Sequence, residues 1–137
     1  MSKDEFVSCS VVFRLDGDLL DPGQRIRCMN LQILLYDGFD EIDAVGPYEV
    51  FVNAGQSGAA LETSLVTLAK RETITASHGL EVGVQDTFTT PDVLLVPGGG
   101  WGNRAEMGAW GEYDRGDIPA AIAEAYDAGA TVLTVCT

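Results

Sequence analysis

A cysteine close to the end of the chain is the residue whose type and position most directly suggest chemistry. Cys136 follows "TVLTV" (131–135), an apolar run with the composition of a buried strand. A cysteine at the end of a strand is the thiol version of a nucleophile elbow, in which a sharp turn exposes the side chain. The thiolate of such a residue attacks electrophilic carbon. The alternative is an inert buried cysteine, which is the plainer interpretation of this residue taken alone.

A glycine-rich segment is the second candidate for chemistry. "VPGGGWGNR" (96–104) follows another apolar run, and its glycines let backbone N–H groups approach a ligand closely. Amides held in this way can form an oxyanion hole. A phosphate loop is excluded because the G-K-[ST] element is absent. A simple glycine loop remains the alternative.

An acidic turn is the third candidate. "DGFDEID" (37–43) places Asp40, Glu41 and Asp43 at the expected start of a helix. Stabilisation of carboxylates by the helix dipole is the plainer explanation of all three. Asp43 is flanked by apolar residues, so it can point inward and exchange a hydrogen bond with a neighbouring thiol.

Strands alternating with helices are predicted to position these segments. Apolar, β-branched runs predict strands, and amphipathic segments bounded by Pro and Gly predict helices. Strands that are apolar throughout indicate a parallel sheet covered on both faces, and function then gathers at the carboxyl ends of the strands. The predicted strands are 30–36, 61–69, two short strands within 73–85, a strand within 92–100 that Pro97 ends before the glycine-rich loop, and 131–135. The predicted helices are 43–54 and 117–129.

The ends of the two helices are marked by particular residues. Pro47 is expected in the first turn of the first helix, and Gly55 is expected to close that helix. Asp117 is expected to cap the second helix, and Gly129 stands where a glycine follows a helix.

The single histidine is predicted to lie outside the chemistry. His78 stands in the turn Ser77-His78-Gly79 between two short strands. We therefore expect a surface turn residue, away from the three segments above, rather than a general base.

The charge balance excludes several classes of partner. The chain has 21 acidic and 8 basic residues and a net charge of -13. Nucleic acid phosphates and anionic membranes should repel it. Its acid-rich, lysine-poor composition resembles that of proteins from halophilic archaea, which we favour over an ordinary acidic cytosolic protein.

The remaining composition points to a cytoplasmic protein. No apolar run is long enough to span a bilayer, and the first residues lack the features of a secretory signal. Three widely spaced cysteines are neither a disulfide framework nor a C-x-x-C zinc motif. No metal or cofactor is expected.

Residues 1–28 differ from the rest of the chain. They hold turn signals and little periodicity, whereas Met29 immediately precedes a clear strand. We predict an N-terminal extension over 1–28 and a domain over 29–137. The extension is either flexible or an upstream stretch included by a misplaced start codon, and the alternative is a genuine extra strand, for example at "SVVF", or hairpin.

Taken in order, three segments resemble one family. "YDGFDEIDAVGPYEVF", "DVLLVPGGG" and "GATVLTVCT" are similar to the ThiJ/PfpI superfamily, the DJ-one-like branch of the class I glutamine amidotransferase-like fold. The patterns D-x-x-GP-x-E-V-F and V-C-T resemble the branch that includes isocyanide hydratases and the amidase-like domains of some AraC-type regulators. The resemblance covers about residues 29–137 and implies an α/β fold with a flavodoxin-like parallel sheet and helices on both faces.

The resemblance also implies roles for four residues. Cys136 matches the family nucleophile, and Asp43 matches the acid that hydrogen-bonds its sulfur. Gly99 matches the glycine whose N–H helps to form the oxyanion hole, and Thr137 matches the residue whose N–H and hydroxyl lie at the same pocket. Family members act on or bind small molecules, need no metal for the cysteine chemistry and are commonly dimers, so a homodimer is expected if the full domain is present.

Several activities fit this resemblance. A cysteine-dependent hydrolase, hydratase or glyoxalase/deglycase is the leading one. The alternatives are a ligand-sensing module of a transcriptional regulator, and a redox-sensing or chaperone-like protein in which Cys136 is oxidised. Family members continue past the nucleophile with Gly-Ala, an elbow helix, further strands and often a histidine. These 137 residues hold none of that, so we expect the C-terminal part of the fold to be missing and the activity to be weak or absent unless a second chain supplies the remainder.

Overall fold

The structure is a computed structural model, and it describes residues 27–136. The predicted N-terminal extension therefore lies outside the described residues except at positions 27 and 28. Its candidate strand "SVVF" lies outside them, and so does Thr137.

Seven strands and three helices make up the described part of the chain. The strands are β1 (Met29–Leu34), β2 (Leu61–Thr67), β3 (Thr73–Thr75), β4 (Glu81–Gly83), β5 (Asp86–Thr87), β6 (Val93–Pro97) and β7 (Thr131–Val135). The helices are α1 (Glu41–Gln56), α2 (Ala109–Arg115) and α3 (Asp117–Asp127).

The predicted parallel sheet is confirmed. Five strands lie in the order β5-β2-β1-β6-β7, and every neighbouring pair is parallel. Ile33 in the central strand pairs with Leu65 on one side and Leu95 on the other, and all three are buried. The chain leaves β1 towards β2 but places β6 on the opposite side of β1. The carboxyl ends of β1 and β6 therefore form the topological switch point at which ligands bind in such sheets.

Two of the described helices pack on this sheet. α1 packs against β2 and β6, and α3 packs against β7. Ile118, Ala121 and Ala125 are the buried residues of α3, at the spacing that places them on one helix face. The short strands β3 and β4 form a separate antiparallel hairpin, as the sequence predicts.

The first helix begins earlier than predicted and ends later. α1 starts at Glu41 because the Asp40 side chain accepts a hydrogen bond from the Ile42 N–H and caps the helix. Gly55 lies inside the helix instead of closing it. Pro47 consequently lies in the second turn, where it has no N–H to donate to the Asp43 carbonyl.

Two short elements are further differences from the prediction. The sequence does not predict α2, which lies between β6 and β7, nor the two-residue strand β5, which lies between β4 and β6. Asp117 is not a cap: Gly116, with φ +86°, precedes α3 and no side chain caps it. Gly129 follows α3 with φ +97°, which agrees with its predicted place after the helix.

Candidate functional site

The carboxyl ends of β1, β6 and β7 bring Asp43, Gly98 and Cys136 together. Gly98 follows β6, Cys136 follows β7, and Asp43 lies in the first turn of α1. A Cβ atom on Gly98 would lie 2.8 Å from Cys136 Sγ and 2.9 Å from Asp43 Oδ2. The thiol and the carboxyl therefore adjoin the same point, which only a glycine leaves open.

Asp43 contributes a buried acid to this site. Its exposed fraction is 1%, although it is an acidic residue, and it lies where the α1 dipole favours negative charge. Burial of a carboxyl group is costly unless polar neighbours compensate it. A buried carboxyl group next to a thiol makes Asp43 a candidate functional residue.

Backbone hydrogen bonds hold the glycine loop in place. The Gly98 N–H donates to the Val135 carbonyl at 2.7 Å, and the Gly98 carbonyl accepts from the Asp40 N–H at 2.8 Å. Gly99 has φ +129°, and a Cβ on it would lie 2.5 Å from the Asp40 nitrogen, so no other residue fits. Within residues 27–136 the Gly99 N–H donates to no acceptor.

Cys136 is the exposed member of the site. It directly follows β7, the edge strand that pairs with β6 alone among the described strands. Cys28 is the other described cysteine and lies before β1, at the opposite end of the sheet. Neither forms a disulfide with the described residues. Thr137, the fourth predicted site residue, lies outside them.

Tyr36 is a neighbour of the site that the sequence does not predict. Its side chain is 4% exposed, and its hydroxyl donates to the Pro97 carbonyl at 2.5 Å. Burial raises the pKa of Tyr36 well above its ordinary value, and nearby negative charges raise it further, from Cys136 first and then from Glu112, Asp43 and Asp40. The phenol therefore stays protonated. Its one sequence signal is a polar group at the end of the run "ILLY".

The prediction for His78 is right about the turn and wrong about its surroundings. His78 is an exposed turn residue, but its N–H donates to Glu41 Oε1 at 2.7 Å, and its Nδ1 lies 2.7 Å from Glu41 Oε2. The hairpin of β3 and β4 folds onto the acidic turn, since the Ser77 N–H donates to the Phe39 carbonyl. The histidine therefore lies against the start of α1 rather than away from it.

The His78–Glu41 pair shifts both pKa values in the directions expected of an ion pair. The hydrogen bond from His78 lowers the pKa of Glu41 to about 2. The same hydrogen bond, followed by the charge of Glu41, raises the pKa of His78. The pair thus connects the hairpin to α1 when both groups are charged.

A cleft of about 650 Å³ opens beside the glycine loop. The acidic turn, the hairpin and the loop after β6 line it, with Asp40, His78 and Asn103 among the polar groups. Asp40, Glu41 and His78 hold ligating atoms within 4.8 Å of one another, and they are the one such group among the described residues. Helix capping by Asp40 and the Glu41–His78 pair account for this grouping without a metal ion.

Comparison with a family model identifies the fold family. Residues 29–137 match the DJ-1/PfpI family. The chain belongs to the DJ-1/PfpI family. The resemblance of the three sequence segments is thereby confirmed. No curated protein matches the chain.

Solved structures confirm the flavodoxin-like fold of the DJ-1/PfpI family. Oxidized DJ-1 from Toxoplasma gondii is 19% identical, with a TM-score of 0.61 over 79% of this chain and 55% of that one. A ThiJ/PfpI family protein from Pseudomonas syringae is 23% identical, with a TM-score of 0.60 over 79% of this chain and 42% of that one. An AraC family transcriptional regulator from Pseudomonas putida is 15% identical, with a TM-score of 0.58 over 77% of this chain and 63% of that one.

The matches differ from this chain in length. The chain spans about half the length of the first solved structures that it matches, between 52% and 55% of each. In residues 27–136, no helix has both the length and the apolar character needed to cross a membrane.

Proposed function

We propose that the chain carries the nucleophile of a cysteine-dependent DJ-1/PfpI site that acts on a small electrophilic molecule. The reaction class is hydrolase, hydratase or glyoxalase/deglycase. The supporting observation is the meeting of Cys136 Sγ and the Asp43 carboxyl at Gly98, next to a Gly99 N–H that bonds no acceptor in the described part of the chain. These are the three parts that thiol addition to a carbonyl needs: a nucleophile, an acid–base group and an oxyanion donor.

The first step is addition of the thiolate to the electrophilic carbon. The sulfur lone pair forms the S–C bond, and the C=O π pair moves to oxygen, where the Gly99 amide donates to it. Asp43 takes the thiol proton or orients it. In a hydrolase, the pair on oxygen then re-forms the carbonyl and expels the leaving group. Water cleaves the resulting thioester, which returns the thiol of Cys136 and releases the acid.

Covalent labelling and turnover test this proposal together. The 137-residue chain is incubated separately with methylglyoxal, p-nitrophenyl acetate and p-nitrophenyl isocyanide, and products and adduct masses are followed. Turnover or a covalent adduct should be abolished by Cys136→Ser and retained by the matched variant Cys28→Ser. If Cys136 reacts no faster than Cys28 with all three reagents, the proposal is wrong.

Redox sensing is the second candidate, and the exposure of Cys136 beside a buried acid supports it. Peroxide would transfer one oxygen to the thiolate and release water, giving a sulfenate, and a second peroxide would give the sulfinate. A mass gain of two oxygens on the Cys136 peptide, without turnover of the three reagents, would favour this function. Ligand sensing in a regulator rests on the fold shared with the AraC family protein alone.

The proposed partner is a small molecule, in the cytoplasm, with no nucleic acid bound by this chain. The net charge of -13 supports this, and so does the use of the described arginines. Three of them pair with carboxylates, and the fourth stacks on Trp110. The four are Arg27, Arg71, Arg115 and, on the tryptophan, Arg104. A halophilic origin and a homodimer of the full domain belong to the same proposal.

A further inference from the structure

The peptide unit between Pro97 and Gly98 is held at both of its polar ends. Its carbonyl accepts the hydrogen bond from the Tyr36 hydroxyl, and its N–H donates to the Val135 carbonyl. Val135 is the residue directly before Cys136. This peptide unit therefore connects the end of β1, the end of β6 and the strand that carries the nucleophile.

The next peptide unit along the chain presents the candidate oxyanion donor. Its carbonyl, from Gly98, accepts a hydrogen bond from the Asp40 N–H, and its N–H, that of Gly99, bonds no acceptor among residues 27–136. Glycine at 98 leaves the backbone dihedral angles between the two peptide units largely free. The direction of the Gly99 amide is therefore set by the hydrogen bonds that hold its own peptide unit and the one before it. Within residues 27–136, the Tyr36 bond is the one side-chain hydrogen bond to the segment 97–99.

Tyr36 is suited to act as a permanent donor. Its hydroxyl is buried, and the carboxylates around it disfavour a phenolate. A neutral phenol donates to a carbonyl oxygen, whereas a phenolate would repel it. The bond to Pro97 is therefore present at every pH at which the site can work.

We infer that Tyr36 is a positioning residue for acyl transfer at Cys136, because it fixes the peptide unit that aims the Gly99 amide. This inference rests on the proposed function. Tyr36 bonds the loop and not the reacting atoms, so it is not a catalytic residue. Its effect should be confined to reactions in which negative charge develops on a carbonyl oxygen.

Two reagents separate this role from a structural one. p-Nitrophenyl acetate acylates the thiol through an oxyanion: the S–C bond forms, p-nitrophenolate leaves with the C–O pair, and the thiol proton passes to buffer. Iodoacetamide alkylates the same thiol by displacement of iodide, again with loss of the proton to buffer, and develops no oxyanion. The rates at Cys136 and Cys28 are measured in the same molecule by peptide mass spectrometry.

Tyr36→Phe should lower the acylation rate of Cys136 by about tenfold, because a slightly misplaced donor loses most of its effect. The alkylation rate should stay unchanged. Tyr48→Phe is the matched control, since that hydroxyl bonds Gln85 away from the site, and it should change neither rate. Equal slowing of both reactions by Tyr36→Phe, or slowing of neither, overturns the inference.

A failure of the proposed function gives a different result. In that case the ratio of the acylation rate to the alkylation rate in the wild type is no higher at Cys136 than at Cys28. If Tyr36→Phe does not fold, 2,3,5,6-tetrafluorotyrosine at position 36 replaces it, since this residue keeps the shape but ionises at lower pH. The ratio of acylation to alkylation should then fall at a lower pH than in the wild type. An unchanged pH profile of that ratio overturns the inference.

Discussion

Replacement of Gly98 by alanine should separate the thiol from the acid. The added Cβ would lie 2.8 Å from Cys136 Sγ, 2.9 Å from Asp43 Oδ2 and 3.0 Å from Cys136 Cβ. Cβ atoms in proteins almost never come within 3.0 Å of another heavy atom, so the sulfur and the carboxyl oxygen would have to shift. Gly98 does not have a positive φ, so alanine is compatible with the backbone and the effect is one of space alone.

The size of the effect depends on whether Asp43 or Cys136 can move away from the added Cβ. Asp43 is 1% exposed and cannot retreat without displacing α1, whereas the exposed Cys136 can rotate its sulfur. Overpacking of this kind costs about 1–3 kcal/mol. For a chain of this size, that cost lowers the melting temperature by about 3–12 °C. Because the sulfur turns away from Asp43 and Gly99, acylation of Cys136 should slow by about tenfold or more.

Circular dichroism melting and peptide-resolved acylation measure the two effects. The control is Gly102→Ala, because a Cβ at that position meets no atom within 4 Å and its φ is not positive. The control should melt and react as the wild type does. A Gly98→Ala protein with wild-type melting and reactivity would refute the geometry of the site, and an equally damaged control would refute the steric explanation.

Three further predictions concern the elements around the site. The imidazole signal of His78, the single histidine of the chain, should titrate above its ordinary pKa of 6.5 in NMR spectra and return towards that value in Glu41→Gln; an unchanged titration would disprove the pairing. The stabilisation of the fold by the Glu41–His78 ion pair should be greatest between about pH 4.5 and 6.5. It should fall as the pH rises through the raised pKa of His78, and it should also fall as the pH drops towards the Glu41 pKa of about 2. Gly38→Ala should lower the melting temperature much more than Gly79→Ala. Both glycines have a positive φ, but only a Cβ on Gly38 would lie 2.2 Å from a backbone oxygen, that of Met107. Similar losses in the two variants would mean that backbone strain, and not the steric contact, dominates. Cys136 should react about fivefold more slowly with anionic iodoacetate than with neutral iodoacetamide at low salt, because the Asp43 carboxyl adjoins its sulfur and the chain has a net charge of -13. A difference that persists in 1 M KCl would contradict the electrostatic cause.

Six of the seven described strands could be predicted from local sequence, and the two-residue strand β5 could not. β1, β6 and β7 are short apolar runs, and such runs indicate buried strands whatever lies elsewhere in the chain. The start of α1 was misplaced by two residues because Asp40, an acidic residue among several, is identified as the cap only by its bond to the Ile42 N–H. α2 was missed because its seven residues, "AWGEYDR", contain a glycine and have no clear apolar period.

The site could be predicted in part. The rule that function gathers at carboxyl ends of parallel strands, together with the family resemblance, pointed to Asp43, Gly99 and Cys136. It could not show that Gly98 is the residue between the thiol and the acid. Tyr36 was missed because its contact with Pro97 joins residues 61 positions apart, and no local pattern records such a bond.

The placement of Cys136 after the edge strand has a consequence for how the site is acquired during folding. The two side chains of the site come from positions 43 and 136. Among the described strands β7 pairs only with β6, and β6 in turn pairs with β1. Contacts between such distant positions form late, because the chain must close long loops before they contribute stability. Until β7 pairs with β6, we expect the Cys136 thiol to react as an ordinary cysteine, without the influence of Asp43 and Gly99. Oxidants and alkylating agents met during synthesis would therefore modify it without the selectivity of the finished site.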